Sequence, residues 1–230
     1  MPVVRRSGSL QLTTRDLDIL RWIGQGGVAS LDQVARRFWE GKQPETALTR
    51  LRQLVKGGYL EAHVCDALRP GELVFTLTQR GRLEFDPSWR ERLQIGLPSA
   101  GEIRQQLLAQ DAYLALEAWA REQGAELVSW SSEREMRASF HRTRRSSIRR
   151  SRQVTAHDIA DAQAVVLTAD GERLLLDIEI DGAYYGKMLK DKAARLGKSG
   201  RTVIWVCTQE REASIRRATN DYPNILVLVA

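Results

Sequence analysis

One stretch near the carboxyl end, residues 173–181 (RLLLDIEID), constrains the fold more than any other part of the chain. Acids and aliphatic residues alternate there, which predicts a buried β-strand with its acids on one face. The acids are Asp177, Glu179 and Asp181. Because a buried carboxylate is costly unless it is paired, the strand needs a metal ion or a cationic partner, or else it retains the remnant of a metal site. Asp161, at the start of the preceding predicted strand, is the acid expected to join Glu179.

The first third of the chain has the pattern of three short helices followed by a hairpin. Residues that commonly begin helices precede three apolar stripes, and glycines follow each stripe. The starting residues are Thr13 or Thr14, Ser30 and Pro44. Residues 59–64 and 73–78 have the composition of strands and are joined by a turn that contains Pro-Gly. This is the element order of a winged helix-turn-helix domain, which we place at residues 1–86.

The third helix carries the predicted DNA-reading surface. With Leu51 at the centre of the buried face, a step of about 100° per residue places Thr49 and Gln53 on the opposite side. Thr, Gln and Arg side chains can read base edges, whereas lysine suits phosphate. The predicted DNA contacts of this helix and of the hairpin turn are Thr46, Thr49, Arg50, Arg52, Gln53, Lys56 and Arg69. The alternatives are a domain used only for protein contact or dimerisation, and a solvated turn arginine.

A second basic feature lies in residues 141–152 (HRTRRSSIRRSR), which hold six arginines and no acid. The six positive charges of this segment are equal in number to the formal net charge of the whole chain, +6. Such a segment suggests contact with a polyanion, and a solvated loop is the alternative. The arginines are Arg142, Arg144, Arg145, Arg149, Arg150 and Arg152.

The rest of the chain predicts a second domain. Residues 87–100 contain two prolines and a glycine, which indicates a linker. From residue 101 onward the periodicity predicts a long helix, three strands, a helix, a strand, a helix and a strand. This order matches the αβββαβ core of the restriction-endonuclease-like, or PD-(D/E)xK, fold. We therefore predict an α/β protein of the α+β type with domains at residues 1–86 and 101–230.

Several motifs, and the order in which they occur along the chain, resemble those of the replication-relaxation family. They are Ser131-Ser132-Glu133, Asp161 next to an alanine, the alternating acids of residues 177–181, and a helix with Tyr and Lys over residues 183–196. The resemblance covers about residues 12–208. Members of this family are proteins of plasmids and other mobile elements, with a winged helix-turn-helix followed by a nuclease-like domain. The resemblance implies binding of double-stranded DNA at a replication or transfer origin.

The resemblance also indicates which residues a catalytic site would need. A nuclease of this fold needs carboxylates that hold Mg²⁺ and a lysine that orients or activates water. Carried over by position, Asp161 and Glu179 would be the metal ligands, but no lysine stands two residues after the second acid. The further residues considered are Asp177, Glu117 and Glu133 as ligands, and Lys187, Lys190 and Lys192 as a relocated lysine. In a degenerate site the acids would instead hold arginines of residues 142–152 or of a second chain. The alternative for the lysines is ordinary surface charge on a helix.

We therefore expect a DNA-binding accessory protein without robust nuclease activity. The alternatives are a metal-dependent endonuclease and a transcriptional regulator. Mg²⁺ is the one cofactor considered, and a second copy of the chain or a relaxase or replication protein are the protein partners considered. Cys65 and Cys207 lack metal-binding spacing, so we expect reduced packing residues. Because no apolar run approaches about 18 residues and no signal peptide is recognisable, we expect a cytoplasmic protein without membrane contact.

Overall fold

A computed structural model describes residues 10–137, 160–182 and 184–229 of the 230-residue chain. It contains helices and two β-sheets, which confirms the predicted α+β class. The chain forms two compact units, Met1–Leu107 and Leu108–Ala230. The predicted domain boundaries, at residues 86 and 101, stay predictions. Among the described residues, no helix is long and apolar enough to cross a membrane.

The first unit follows the predicted order of three helices and a hairpin. Its elements are α1 (Thr14–Gly26), β1 (Ala29–Ser30), α2 (Leu31–Phe38), α3 (Pro44–Lys56), β2 (Leu60–Cys65), β3 (Glu72–Leu77), α4 (Gln79–Leu83) and α5 (Pro87–Arg90). The strands form an antiparallel sheet in the order β1-β3-β2. The two-residue strand β1 is not predicted by the sequence, because it is too short to show alternation.

Local capping explains where these helices begin. Thr13 and Ser30 each accept a hydrogen bond from the third residue of the following helix, and that residue's side chain accepts one in return. These reciprocal bonds satisfy amide groups that a helix start leaves open. Pro44 occupies the first turn of α3, where no amide donor is needed.

The segment predicted to be a linker is attached to the first unit. Leu93 is buried with 1% of its surface exposed. The Gln94 amide donates to the Gly24 carbonyl at 2.7 Å, and the Gly96 amide donates to the Leu77 carbonyl at 3.1 Å. Residues 93–96 therefore pack against α1 and β3 rather than running free of them.

The second unit is built on one five-stranded sheet. The remaining elements are α6 (Ala100–Glu122), β4 (Glu126–Ser132), β5 (Ala162–Leu167), β6 (Arg173–Ile180), α7 (Gly186–Gly197), β7 (Thr202–Cys207), α8 (Gln209–Thr219) and β8 (Ile225–Val229). The strands stand in sequence order, with β4, β5 and β6 antiparallel and β6, β7 and β8 parallel. Within the described part of the unit, the order of helices and strands is the one that the sequence predicts.

One face of this sheet supports the two helices that follow β6. Strands β6 and β7 run in parallel with Glu179 opposite Trp205, so these two side chains share a face. The same face packs against Leu189 of α7 and Ile215 of α8 in one apolar cluster. Acidic side chains of β6 are thus placed beside a hydrophobic core, where an unpaired charge is costly.

Candidate functional site

The outer face of α3 is the first candidate surface. The helix buries Ala47, Leu51 and Leu54 completely, which fixes the side that faces solvent. The exposed polar and basic residues among the predicted contacts are Thr46, Thr49, Arg52, Gln53 and Lys56. The structure therefore places these five predicted residues together on one helix face.

Arg50 differs from the other predicted contacts of α3 because its guanidinium is bound to a buried acid and only 24% of its side chain is exposed. Its Nε donates to Asp16 Oδ1 at 2.8 Å, and its Nη2 donates to Asp16 Oδ2. Asp16 is buried with 1% of its surface exposed. Burial alone would raise the pKa of Asp16, but hydrogen bonds from Arg50 and Thr13 outweigh it and lower that pKa below its usual value. Arg50 is therefore an ion-pair partner that reaches α1 from α3.

The remaining predicted contacts lie in two places. Arg69 is exposed on the β2–β3 turn, which is closed by the Gly71 amide donating to Asp66 Oδ1 at 2.7 Å. Leu68 of the same turn packs against an apolar cluster that includes Ile103. The six arginines of residues 142–152 lie outside the described residues.

The second candidate site lies where β6 meets α7. Glu179 and Lys192 form an ion pair, with about 8% of each side chain exposed. The carboxyl group of Asp161 is within hydrogen-bonding distance of Glu179, and its Oδ2 accepts the Ile180 amide at 2.7 Å. The Lys192 ammonium also lies 4.1 Å from the centre of the Tyr184 ring, a cation–π distance. The predicted pair of Asp161 and Glu179 is thus brought together, with Lys192 beside it.

The electrostatics of this site favour a proton on Glu179. Burial is the main cause, because it disfavours the charged form. The neighbouring Asp161 carboxylate raises the pKa further, whereas Lys192 lowers it without offsetting the other two effects. The result is a pKa of about 7 for Glu179, raised from 4.5.

Asp177 of β6 and Asp181, directly after the strand, each have an arginine partner. Asp177 Oδ2 lies 3.0 Å from Arg201 Nη1, and its Oδ1 accepts from Gln163 Nε2 at 2.8 Å. Asp181 Oδ2 lies 2.7 Å from Arg211 Nε, and both side chains are largely buried. The cationic partner proposed for the acidic strand is therefore found at each of its three acids.

The donor set does not fit a Mg²⁺ ion in this geometry. Carboxylate oxygens are suitable ligands, but the Lys192 ammonium already lies on Glu179 and a backbone amide occupies one oxygen of Asp161. Within residues 10–137, 160–182 and 184–229, no group of three or more His, Cys, Asp or Glu side chains is arranged to hold a metal ion. Lys192 already lies where a metal ion would contact Glu179.

The side chains of the other residues considered for catalysis have different partners, although the Glu133 backbone amide donates to the Asp161 carbonyl at 2.9 Å. Lys187 and Lys190 are exposed on the outer side of α7. Glu117 accepts a hydrogen bond from the Tyr113 hydroxyl at 3.1 Å, and Glu133 accepts from Arg137 Nε at 2.7 Å. Of the three lysines that the sequence offers on this helix, only Lys192 contacts Glu179 among the described contacts.

A comparison with protein families matches residues 20–195 to the replication-relaxation family. The chain belongs to the replication-relaxation family. This confirms the resemblance drawn from the motifs, and it indicates a role in the replication or transfer of a plasmid or other mobile element. No curated protein and no solved structure matches the chain.

The sequence alone gives Lys192 no more weight than Lys187 and Lys190, and it indicates Asp16 only as support for the first turn of α1, without its partner Arg50. Both carry a recognisable signal. Lys192 falls within the apolar stripe of α7, between Leu189 and Leu196, and a lysine in such a stripe implies a buried acid partner. Asp16 could be found as the third residue of a capping box, but its long-range partner Arg50 depends on how α1 packs on α3.

Proposed function

We propose that this replication-relaxation protein binds double-stranded DNA through its first unit, with α3 in the major groove, as an accessory protein of replication or transfer. The observation that supports this proposal most is the exposed face of α3, which carries Arg52, Gln53 and Lys56 and is free of acids beyond the first turn. A helix of about 10–12 Å diameter fits the major groove.

The surrounding elements support the same proposal. Helix α2 packs against α3, and the hairpin of β2 and β3 follows α3 directly. We interpret this arrangement as a winged helix-turn-helix, in which the second helix of the pair is the reading helix and the hairpin is the wing. Arg69 on the turn between the strands would then lie near the DNA backbone.

A binding experiment tests the proposal. Fluorescence anisotropy on duplex DNA, over a range of salt concentrations, should show affinity that falls steeply with salt, because bound phosphates release counterions. The double variant Arg52→Gln, Lys56→Gln should weaken binding on every duplex and reduce the salt slope by about two. A control with the same loss of charge is Lys187→Gln, Lys190→Gln, on an exposed helix of the second unit. Equal losses in both double variants would argue against α3 as the DNA-binding surface.

A metal-dependent endonuclease is the second candidate function. It is favoured by one observation, the approach of Lys192 to the Asp161–Glu179 pair, since the sequence places no lysine two residues after Glu179. The ion pair itself opposes this function, because Glu179 would have to exchange Lys192 for a metal. We therefore expect purified protein to leave supercoiled plasmid intact with Mg²⁺, Mn²⁺ or EDTA. Nicking that requires a metal and is abolished by Glu179→Ala would make the protein an enzyme.

A further inference from the structure

The two edges of the five-stranded sheet differ in how they are protected. We propose that β8 binds a second copy of this chain, through antiparallel pairing of the two β8 strands about a two-fold axis at Val227. Among the described residues, β8 pairs with β7 and with no other strand. This inference concerns the second unit and does not depend on DNA binding by α3.

The opposite edge strand, β4, carries features that prevent pairing. It begins with Glu126 and contains three serines, and its register with β5 shifts between Leu127 and Ser129. Charges and bulges of this kind keep the edge of a sheet from binding another strand. β8 has neither, because Ile225–Val229 (ILVLV) are all aliphatic and the register with β7 is regular. An aliphatic edge of this kind favours association with another strand.

The pairing with β7 determines which backbone groups of β8 face outward. The Val203 amide of β7 donates to the Asn224 carbonyl at 2.8 Å, and Val203 lies opposite Ile225. In a parallel pair, alternate residues of a strand direct both backbone groups to the neighbouring strand. The even-numbered residues of β8 therefore bond to β7. The odd-numbered residues direct their backbone groups to the open edge, and they are Ile225, Val227 and Val229.

Two of the groups at this edge already have contacts within the chain. The Ile225 amide donates to the Tyr222 carbonyl at 3.0 Å. Arg216 Nη2 lies 3.5 Å from the Val227 carbonyl oxygen, at the outer limit of a hydrogen bond. With 56% of its side chain exposed, Arg216 can leave this oxygen and keep its ion pair with Glu212. Among the described residues, the edge donors left for a partner are the amides of Val227 and Val229.

A second copy of β8 supplies the matching groups. When two β8 strands run antiparallel about an axis at Val227, each Val227 donates to and accepts from its counterpart. Each Val229 amide then meets the Ile225 carbonyl of the other copy. This arrangement engages all three outward residues and does not require the Ile225 amide, which is bonded within its own chain. Because each copy uses the same edge, the two-fold axis closes the assembly at two chains.

The side chains favour the same partner. Since β8 is apolar on both faces of the sheet, the strand beside it must also be apolar on both faces, and β8 itself meets this requirement. Leu226 is 55% exposed, and the axis at Val227 places it opposite Leu228 of the other copy, where the two side chains bury each other. One strand pair of this length buries less than about 1,000 Å², so we expect a dissociation constant in the micromolar range.

Sedimentation velocity of the full chain without DNA, from about 1 to about 300 µM, tests the association. Wild type should change from monomer to dimer over this range. Leu226→Lys should weaken the dimer at least about tenfold, because the axis repeats the loss at both ends of the strand pair. Leu175→Lys is the matched control, since this leucine is 53% exposed on the central strand β6, and it should dimerise like wild type. Thermal melting checks that both variants fold.

Hydrogen exchange of wild-type protein, measured by NMR for each amide, locates the interface without a substitution. The Val227 and Val229 amides should exchange at least about tenfold more slowly at the high concentration than at the low one. The Leu226 and Leu228 amides, bonded to β7, should be protected at both. A monomer at every concentration would overturn the inference, and so would a dimer in which Val227 and Val229 gain no protection or which Leu226→Lys does not weaken. Duplex binding is measured separately, so these results leave the proposed function untouched.

Discussion

The raised pKa of Glu179 predicts that stability of the second unit falls as pH rises. In the folded protein this carboxyl group holds its proton up to about pH 7, whereas in the unfolded chain it loses the proton near pH 4.5. Between these values the folded state binds more protons than the unfolded state. The free energy of unfolding therefore decreases with rising pH across this window, and the contribution is fully lost above it.

The size of the effect follows from the shift. Each pKa unit corresponds to about 1.4 kcal/mol of difference between the two protonation states. A rise from 4.5 to about 7 therefore corresponds to about 3 kcal/mol. Solvent screening reduces this little, because only 8% of the Glu179 side chain is exposed.

Urea unfolding, followed by circular dichroism between pH 4 and pH 8, measures this contribution when wild type is compared with Glu179→Gln. The variant keeps the shape of the side chain and does not titrate. Wild type should lose about 3 kcal/mol more than the variant over this range. Glu126→Gln, at an exposed position of β4, is the control and should follow wild type. If the free energy of unfolding had the same pH dependence in wild type and Glu179→Gln, the reasoning would be refuted. It would also be refuted if the stability of wild type rose with pH relative to that of the variant.

Two further pairs of substitutions separate buried from exposed positions. At pH 8, Lys192→Met should destabilise the protein by about 3 kcal/mol, because it leaves a buried carboxylate without its cation, whereas the exposed Lys190→Met should cost under about 0.5 kcal/mol in urea unfolding. Gly81→Ala should cost about 1–3 kcal/mol in thermal melting although alanine favours helices, because the added methyl group would meet the Tyr59 carbonyl oxygen. Gly101→Ala, where nothing lies within 4 Å, should be neutral or stabilising; equal effects of the two glycine changes would contradict this.

Much of the secondary structure could be predicted because its signals are local. Capping residues, a proline at a first turn and apolar spacing locate α1, α2 and α3, and alternation locates β6. The short strand β1 depends on its pairing with β3, which no local pattern shows. The attachment of residues 93–96 to α1 is likewise a tertiary contact, since proline and glycine indicate only a break in regular structure.

For the candidate sites, the sequence could predict which types of residue take part, but not which residue pairs with which. The pattern showed that Glu179 would need a partner, and helical spacing offered three lysines for it. The choice of Lys192 depends on how α7 rotates on the sheet, which follows from packing of Leu189 and Ala193. Arg50 shows the same limit, because the helical projection places it at the side of the reading face and cannot show that Asp16 lies within reach.

Asp177 and Glu179 of β6, and Asp181 directly after it, also indicate how charge is used in the second unit. Their cations come from three different places along the chain after β6: Lys192 in α7, Arg201 just before β7, and Arg211 in α8. A buried ion pair adds little net stability compared with apolar packing, but losing one partner is costly. The acids therefore act mainly as constraints that join the β6 region to α7, to the start of β7 and to α8. Losing the cation should be costly at Glu179 and Asp181, whose pairs are buried, and less so at Asp177, because 52% of the Arg201 side chain is exposed. On α3 the opposite holds, because its exposed Arg52 and Lys56 can change without loss of the fold, and their charges are available to a partner.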